Sequence, residues 1–161
     1  ESITQSLLNA CVQELLRLHV ENDSIVHITV PGALEIPQVL ARLGRMHEFD
    51  VLIAVGCVIR GETYHFEVVS NESASGVAQV GMSLPSAVIN AILTVENEEQ
   101  AQARVAEKGR EAAQAAVEMG NLMLMLDIFN DDDDDHYGED VDDLEEDHEE
   151  DEDVDAREGP Q

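Results

Sequence analysis

Apolar residues recur along the opening stretch of the chain at the spacing of a helix. Leu7, Leu8, Cys11, Leu15 and Leu18 fall at helical intervals, which predicts an amphipathic helix over Ile3–Leu18. Asp23 and Ser24 read as a turn, and the β-branched run Ile25–Val30 as a strand that Pro31-Gly32 breaks. Glu35–Met46 returns to helical spacing, with Ile36, Leu40 and Leu43 on one face. Val51–Ile59 is almost wholly apolar, as a strand covered on both faces of a parallel sheet must be. A helix over Tyr64–Gly81, a second buried strand over Ala87–Val95 and a long Ala- and Glu-rich helix over Glu98–Met125 follow. Helices alternating with buried strands predict an α/β domain in layers, with parallel strands joined by crossovers. The chain opens on a helix where such a domain usually opens on a strand.

Charge changes the picture at one end only. The formal net charge is −28, and about two-thirds of it lies after Asn130, where Arg157 is the only compensating cation. So acidic a run cannot bury enough apolar surface to offset its ordering entropy. Residues 1–128 are therefore expected to fold, and 129–161 to form an acidic, disordered tail. Lys108 is the only lysine, and the arginines are scattered, which argues against nucleic acid or an anionic membrane as partner. No apolar run reaches the length of a membrane span, and the start shows no secretory signal pattern. Two cysteines, Cys11 and Cys57, both in apolar surroundings, fit a reducing compartment, so the expected location is cytoplasmic. No Cys/His cluster suggests a metal.

Chemistry concentrates in GCVIRGETYHFE (56–67). A buried strand ends at Ile59, and a short loop containing Gly61 leads into a helix. The crevice beyond the carboxyl ends of parallel strands is where ligands bind in such sheets. Unpaired amides at the next helix start suit an anion such as phosphate. His65, in the first turn of that helix, can move protons near neutral pH. On spacing alone His65 also fits a cap or surface residue, and Glu62 and Thr63 ordinary helix-start residues. Arg60 reads as a structural ion-pair partner.

The strings VPGALEIP (30–37), GCVIRGETYHFE (56–67), AILTVENEEQAQAR (91–104) and KGREAAQAAVEM (108–119) resemble, in order and near-matching spacing, the signature segments of lumazine synthases. The resemblance runs over residues 3–125 and leaves out the acidic tail. It implies a three-layer αβα sandwich of flavodoxin-like topology with a small parallel sheet. It implies a transferase that condenses 5-amino-6-(ribitylamino)uracil with 3,4-dihydroxy-2-butanone 4-phosphate, the penultimate step of riboflavin biosynthesis, without metal or organic cofactor. Arg104 matches the arginine that binds the sugar phosphate, and Gly61, Glu62 and Thr63 the loop that meets the same phosphate. His65 matches the histidine that assists proton transfer. Ala33, Leu34 and Glu35 match the loop around the pyrimidine and its ribityl chain; Val58 and Ile59 match the strand end that contacts the pyrimidine edge. Asn90 stands where many members carry phenylalanine, and Lys108 and Glu111 match a pair near the ribityl group. Taken as bare residues, Arg104 is a charge on a Gln/Glu-rich helix, and Lys108 and Glu111 an ordinary surface pair.

The chain also departs from the family pattern. The family's first strand, with a stacking aromatic at its end, falls before Glu1, so one sheet position is expected to be unfilled in this sequence. Leu34 replaces a common aromatic, and the stretch from Arg104 to Lys108 is a few residues shorter than usual. The family further implies a homopentamer, or an icosahedral cage of pentamers, with sites between subunits. A catalytically weak shell or scaffold protein of the same fold is the competing reading, and a riboflavin synthase of archaeal type a third, less suited to the GETYHF loop and Arg104.

Overall fold

The computed structural model describes residues 2–46 and 48–134, with no side-chain description from 130 onward. The elements are α1 (Ile3–Arg17), a short 3-10 turn (Asn22–Ser24), α2 (Ile36–Gly44), β1 (Val51–Ile59), α3 (His65–Ser83), β2 (Ala87–Val95), α4 (Glu98–Gln102) and α5 (Val105–Asp134). The chain divides into a unit over Glu1–Asp127 and a second over Ile128–Gln161. Of the latter, only the last turns of α5 are described, and the expected disordered tail from 135 on lies outside the described residues.

Two parallel strands form the sheet, in register from Val51 opposite Ala87 to Ile59 opposite Val95. Successive side chains leave a strand on opposite faces, and the two faces here bury against different helices. Ile53, Ile89 and Ala91 pack with Cys11 and Leu15 of α1 and Ala112, Ala113 and Ala116 of α5. Leu52, Ala54, Val88 and Ile92 pack with Ile36 and Leu40 of α2 and Val77 and Val80 of α3. The result is the layered α/β sandwich expected from the pattern. Helix direction follows from the same contacts. Leu7, fully buried, meets Leu93 and Val105, whereas Leu15 belongs with Val51 and Ile89. So α1 begins at the carboxyl edge of the sheet and runs back against the strands. Gly109 lets α5 lie against α1, since a Cβ there would stand 2.8 Å from the Leu7 carbonyl oxygen and 2.9 Å from the Cys11 nitrogen.

Three expectations need correction. Ile25–Val30 is extended but belongs to no ladder. A strand needs a partner at ladder distance, and a cleft of about 880 Å³ is lined by this segment and by Val51–Val55 of β1. The long helix expected over Glu98–Met125 is two, broken at Ala103-Arg104. There the Arg104 guanidinium donates to the Gln100 carbonyl at 2.9 Å, the acceptor that the Arg104 amide would use in a continuous helix. The amide turns instead to Ala101 O, 2.9 Å away. Finally, the helix does not stop at Met125 but reaches Asp134. Extending a formed helix costs little per residue even where acidic residues at its carboxyl end oppose its dipole.

Glu14 is the buried charge of the α1–α5 layer, 5% exposed. Its carboxylate accepts from Arg17 at 2.7 and 2.8 Å and from Gln114 of α5 at 2.8 Å. Hydrogen bonds from Arg17 and then Gln114 hold its pKa down, from 4.5 to about 2. Because the folded value lies below the unfolded one, the ionised carboxylate stabilises the fold. That contribution is complete above about 4.5 and is lost as pH falls toward about 2. Glu14→Gln should therefore melt below the parent at neutral pH, with the gap closing through this acid window. Thermal melts by circular dichroism at neutral pH and across the window check it; a gap independent of pH contradicts it.

Candidate functional site

The pairing of Ile59 with Val95 ends both strands side by side, so the loops that follow start about 5 Å apart. From β1 come Arg60 and the exposed Gly61, Glu62 and Thr63, then Tyr64 as the cap of α3 and His65 as its first residue. Tyr64 offers no side-chain cap, and Phe66 N reaches Thr63 O only at 3.5 Å. The start of this nineteen-residue helix thus presents amides and the positive end of its dipole to the crevice. From β2 come Glu96 and Asn97, whose side chain caps α4 by accepting from the Gln100 amide at 2.9 Å, and then the turn holding Arg104.

A third loop arrives at the same edge. Ile36, the first residue of α2, lies close over Gly56, where a Cβ would stand 3.5 Å from its Cδ1. Ala33, Leu34 and Glu35 immediately precede it, with Leu34 and Glu35 exposed. The Glu35 carboxylate folds back over Gly32, 2.9 Å from where a Cβ there would be. Val58 and Ile59 form the strand end between these loops. Lys108 follows one turn beyond Arg104, its amide donating to Arg104 O at 2.9 Å, and its ammonium stands 3.9 Å from Glu111. The segments after β1 and β2 thus carry Gly61, Glu62, Thr63, His65 and Arg104 beyond the strand ends, next to Val58 and Ile59, whereas Asn90 lies elsewhere. Asn90 sits in mid-strand on the free edge of β2, where its Oδ1 accepts from the Ile92 amide at 2.9 Å. Five residues separate it from Val95, roughly 16 Å of strand.

The two arginines of this edge are in opposite states. Arg60 donates from Nε to Glu96 at 2.5 Å and from a terminal nitrogen to Glu67, and lies over the Phe66 ring, 4.1 Å from its centroid. The hydrogen bonds it donates to Glu67 and then Glu96 push its pKa up, and the Arg60 hydrogen bond holds the Glu67 carboxyl below its ordinary value. Arg104, by contrast, is exposed and forms no ion pair among the described residues. An arginine that binds phosphate needs donors that are free, and Arg104 has them. Glu67 and Glu96 did not stand out in the sequence, because an ion-pair partner is assigned by the fold and carries no motif.

The cleft along β1 is not this site. The 880 Å³ space along β1 is lined by neither His65 nor Arg104, and its walls are largely apolar. Nor do the described residues include a cluster of three or more His, Cys, Asp or Glu side chains able to hold a metal. None of their helices is long and apolar enough to cross a membrane.

Comparison with known proteins gives the family of the chain. A family model described as 6,7-dimethyl-8-ribityllumazine synthase matches residues 1–124. Proteins named 6,7-dimethyl-8-ribityllumazine synthase from Burkholderia vietnamiensis and Burkholderia ambifaria are each 53% identical to the chain over 132 residues. These cover 82% of this chain and 78% and 77% of the relatives, respectively. One from Burkholderia mallei is 52% identical over the same length, 76% of that relative. The loops that meet at the carboxyl edge lie within the matched residues, and the chain belongs to the 6,7-dimethyl-8-ribityllumazine synthase family.

Proposed function

We propose that the chain condenses 5-amino-6-(ribitylamino)uracil with 3,4-dihydroxy-2-butanone 4-phosphate to give 6,7-dimethyl-8-ribityllumazine. The observation that carries this reading is that the carboxyl edge of a chain of this family bears an exposed histidine at a helix start, for its own pocket, and an arginine free of ion pairs among the described residues, for the pocket of the neighbouring copy. Arg104 and the amides of Gly61–Thr63 hold the phosphate. Ala33, Leu34 and Glu35 line the ribityl side, Val58 and Ile59 meet the pyrimidine edge through backbone groups, and Lys108 and Glu111 lie near the ribityl chain.

The substrate's own amine attacks the ketone of the sugar phosphate and water is lost, so the imine forms between the two substrates and Lys108 is a ligand contact only. Phosphate leaves, the carbon chain tautomerises, and the ring closes with loss of water. Most of the acceleration comes from holding two reactants in a reactive pose, with His65 relaying protons. No metal or organic cofactor takes part.

The working unit is a ring of identical subunits, a pentamer or a cage of pentamers, with each pocket between neighbours. Strand-end residues of one subunit and Asn90, Arg104 and Lys108 of its neighbour meet at each pocket, as the architecture of the family implies. Two free cysteines, one of them buried, fit a cytoplasmic location. The acidic segment that ends the sequence takes no part in turnover.

The test is turnover by the full chain with both substrates, followed by appearance of the lumazine chromophore and release of phosphate. Both products should form in equal amounts. An assembled ring that binds the substrates yet releases no phosphate would instead make the chain a scaffold.

A further inference from the structure

Arg60 has its guanidinium committed to two carboxylates from opposite sides of the crevice, and those carboxylates lead to the two groups assigned to the reaction. On one side Glu67 and Phe66 belong to the first turn of α3, directly after His65. On the other, Glu96 is the first residue after β2, and its amide donates to the Gln100 side-chain oxygen at 3.0 Å. Gln100 is the residue whose carbonyl holds the Arg104 guanidinium at 2.9 Å. The backbone repeats the tie, with Arg60 N donating to Val95 O at 3.0 Å. A continuous chain of contacts thus runs from the turn of His65 through Glu67, Arg60, Glu96 and Gln100 to Arg104.

We infer that Arg60 is a positioning residue, clamping the His65 turn and the Arg104 turn to one sheet edge without itself touching substrate. The inference rests on Arg104 being the phosphate ligand. Lysine could not replace it, because one ammonium cannot bridge two carboxylates along a plane while stacking on Phe66. The alternative is that Arg60 turns from its carboxylates to bind phosphate directly.

Removing the carboxylates separates the two. Glu96→Gln and Glu67→Gln release Arg60, so direct binding would tighten affinity for inorganic phosphate, whereas a broken clamp weakens it. The assembled full chain is titrated with inorganic phosphate by calorimetry, for the parent, Arg60→Met, Arg60→Lys, Glu96→Gln and Arg104→Ala. Glu96→Gln and both Arg60 variants should each bind phosphate roughly threefold to tenfold more weakly. In the Arg104→Ala background the Glu96→Gln change should cost less than in the parent, since part of the clamp acts through Arg104. Tighter binding by Glu96→Gln, or additive losses with Arg104→Ala, overturns the clamp. Glu96→Gln exchanges atoms of equal size at an exposed position, so it remains readable if Arg60→Met fails to assemble. If Arg104→Ala itself binds phosphate like the parent, the assignment of the phosphate site falls; if only the Arg60 and Glu96 changes are silent, the clamp alone falls.

Discussion

Arg104→Ala should raise the KM for the sugar phosphate by about tenfold to a hundredfold and leave that for the pyrimidine within a small factor. Arg104 is exposed, carries no ion pair among the described residues, and spends one terminal nitrogen on Gln100 O. That single bond fixes the start of the side chain and leaves the remaining guanidinium donors for a dianion. Phosphate is held before and during reaction, so most of the loss should fall on binding. A change that removes equal binding from ground and transition states shows in KM with kcat little altered. Steady-state kinetics with each substrate varied in turn read the split. Equal effects on the two substrates would take Arg104 out of the phosphate site. Arg104 also shapes the α4–α5 break through the same bond to Gln100, so Arg104→Lys is the companion variant. It keeps the charge but loses the paired donors, and should fall between the two.

Hydrophobic pattern alone located the sheet, because β1 and β2 are covered on both faces and so are continuous apolar runs. It also located α1, α2 and α3 within a few residues, since each buries one stripe. Where the fold departs from the pattern, the decisive interaction is one that no local window contains. Ile25–Val30 has the β-branched residues of a strand, yet strand formation is decided by a ladder partner, and beside β1 lies a cleft instead. The run from Glu98 onward consists of good helix formers without a glycine or proline near the break. The break arises when a side chain, Arg104, takes a backbone acceptor from its own amide. Asn90 was legible as a polar residue in an apolar strand, but its place on the free edge far from the mouth depends on sheet order.

The candidate site divides in the same way. Gly61, Thr63 and His65 follow from a strand–loop–helix pattern that any reader of parallel sheets can place at a crevice. Arg104, Lys108 and Glu111 did not follow from pattern, since on a helix they would be solvated charges; resemblance to a family singled them out. The fold then accounts for Arg104, because the end of α4 returns it to the edge where β2 finishes. Glu67, Glu96 and Gln100 were legible by neither route. Their importance lies in pairings across loops, and one sequence contains no record of which acid meets which base.

Substitution of His65 by asparagine should lower kcat by about a hundredfold, toward the lower end of what a positioned acid–base group contributes. His65 is the first residue of α3 and is exposed at the carboxyl edge. Asparagine keeps a polar side chain of similar reach and a hydrogen-bond donor, so the loop and substrate binding are preserved, but it cannot take up and return a proton. Both KM values should therefore stay near those of the parent while kcat falls. The steps that gain from a proton relay are loss of phosphate and tautomerisation, whereas pose alone assists the initial imine. Single-turnover mixing of the His65→Asn variant with both substrates should accordingly show imine formation near the parent rate, followed by slow phosphate release. A loss carried mainly in KM would make His65 a binding contact, with proton transfer left to solvent or to another group at the edge. A loss appearing already in the imine step would place the histidine earlier, in orienting the amine toward the ketone.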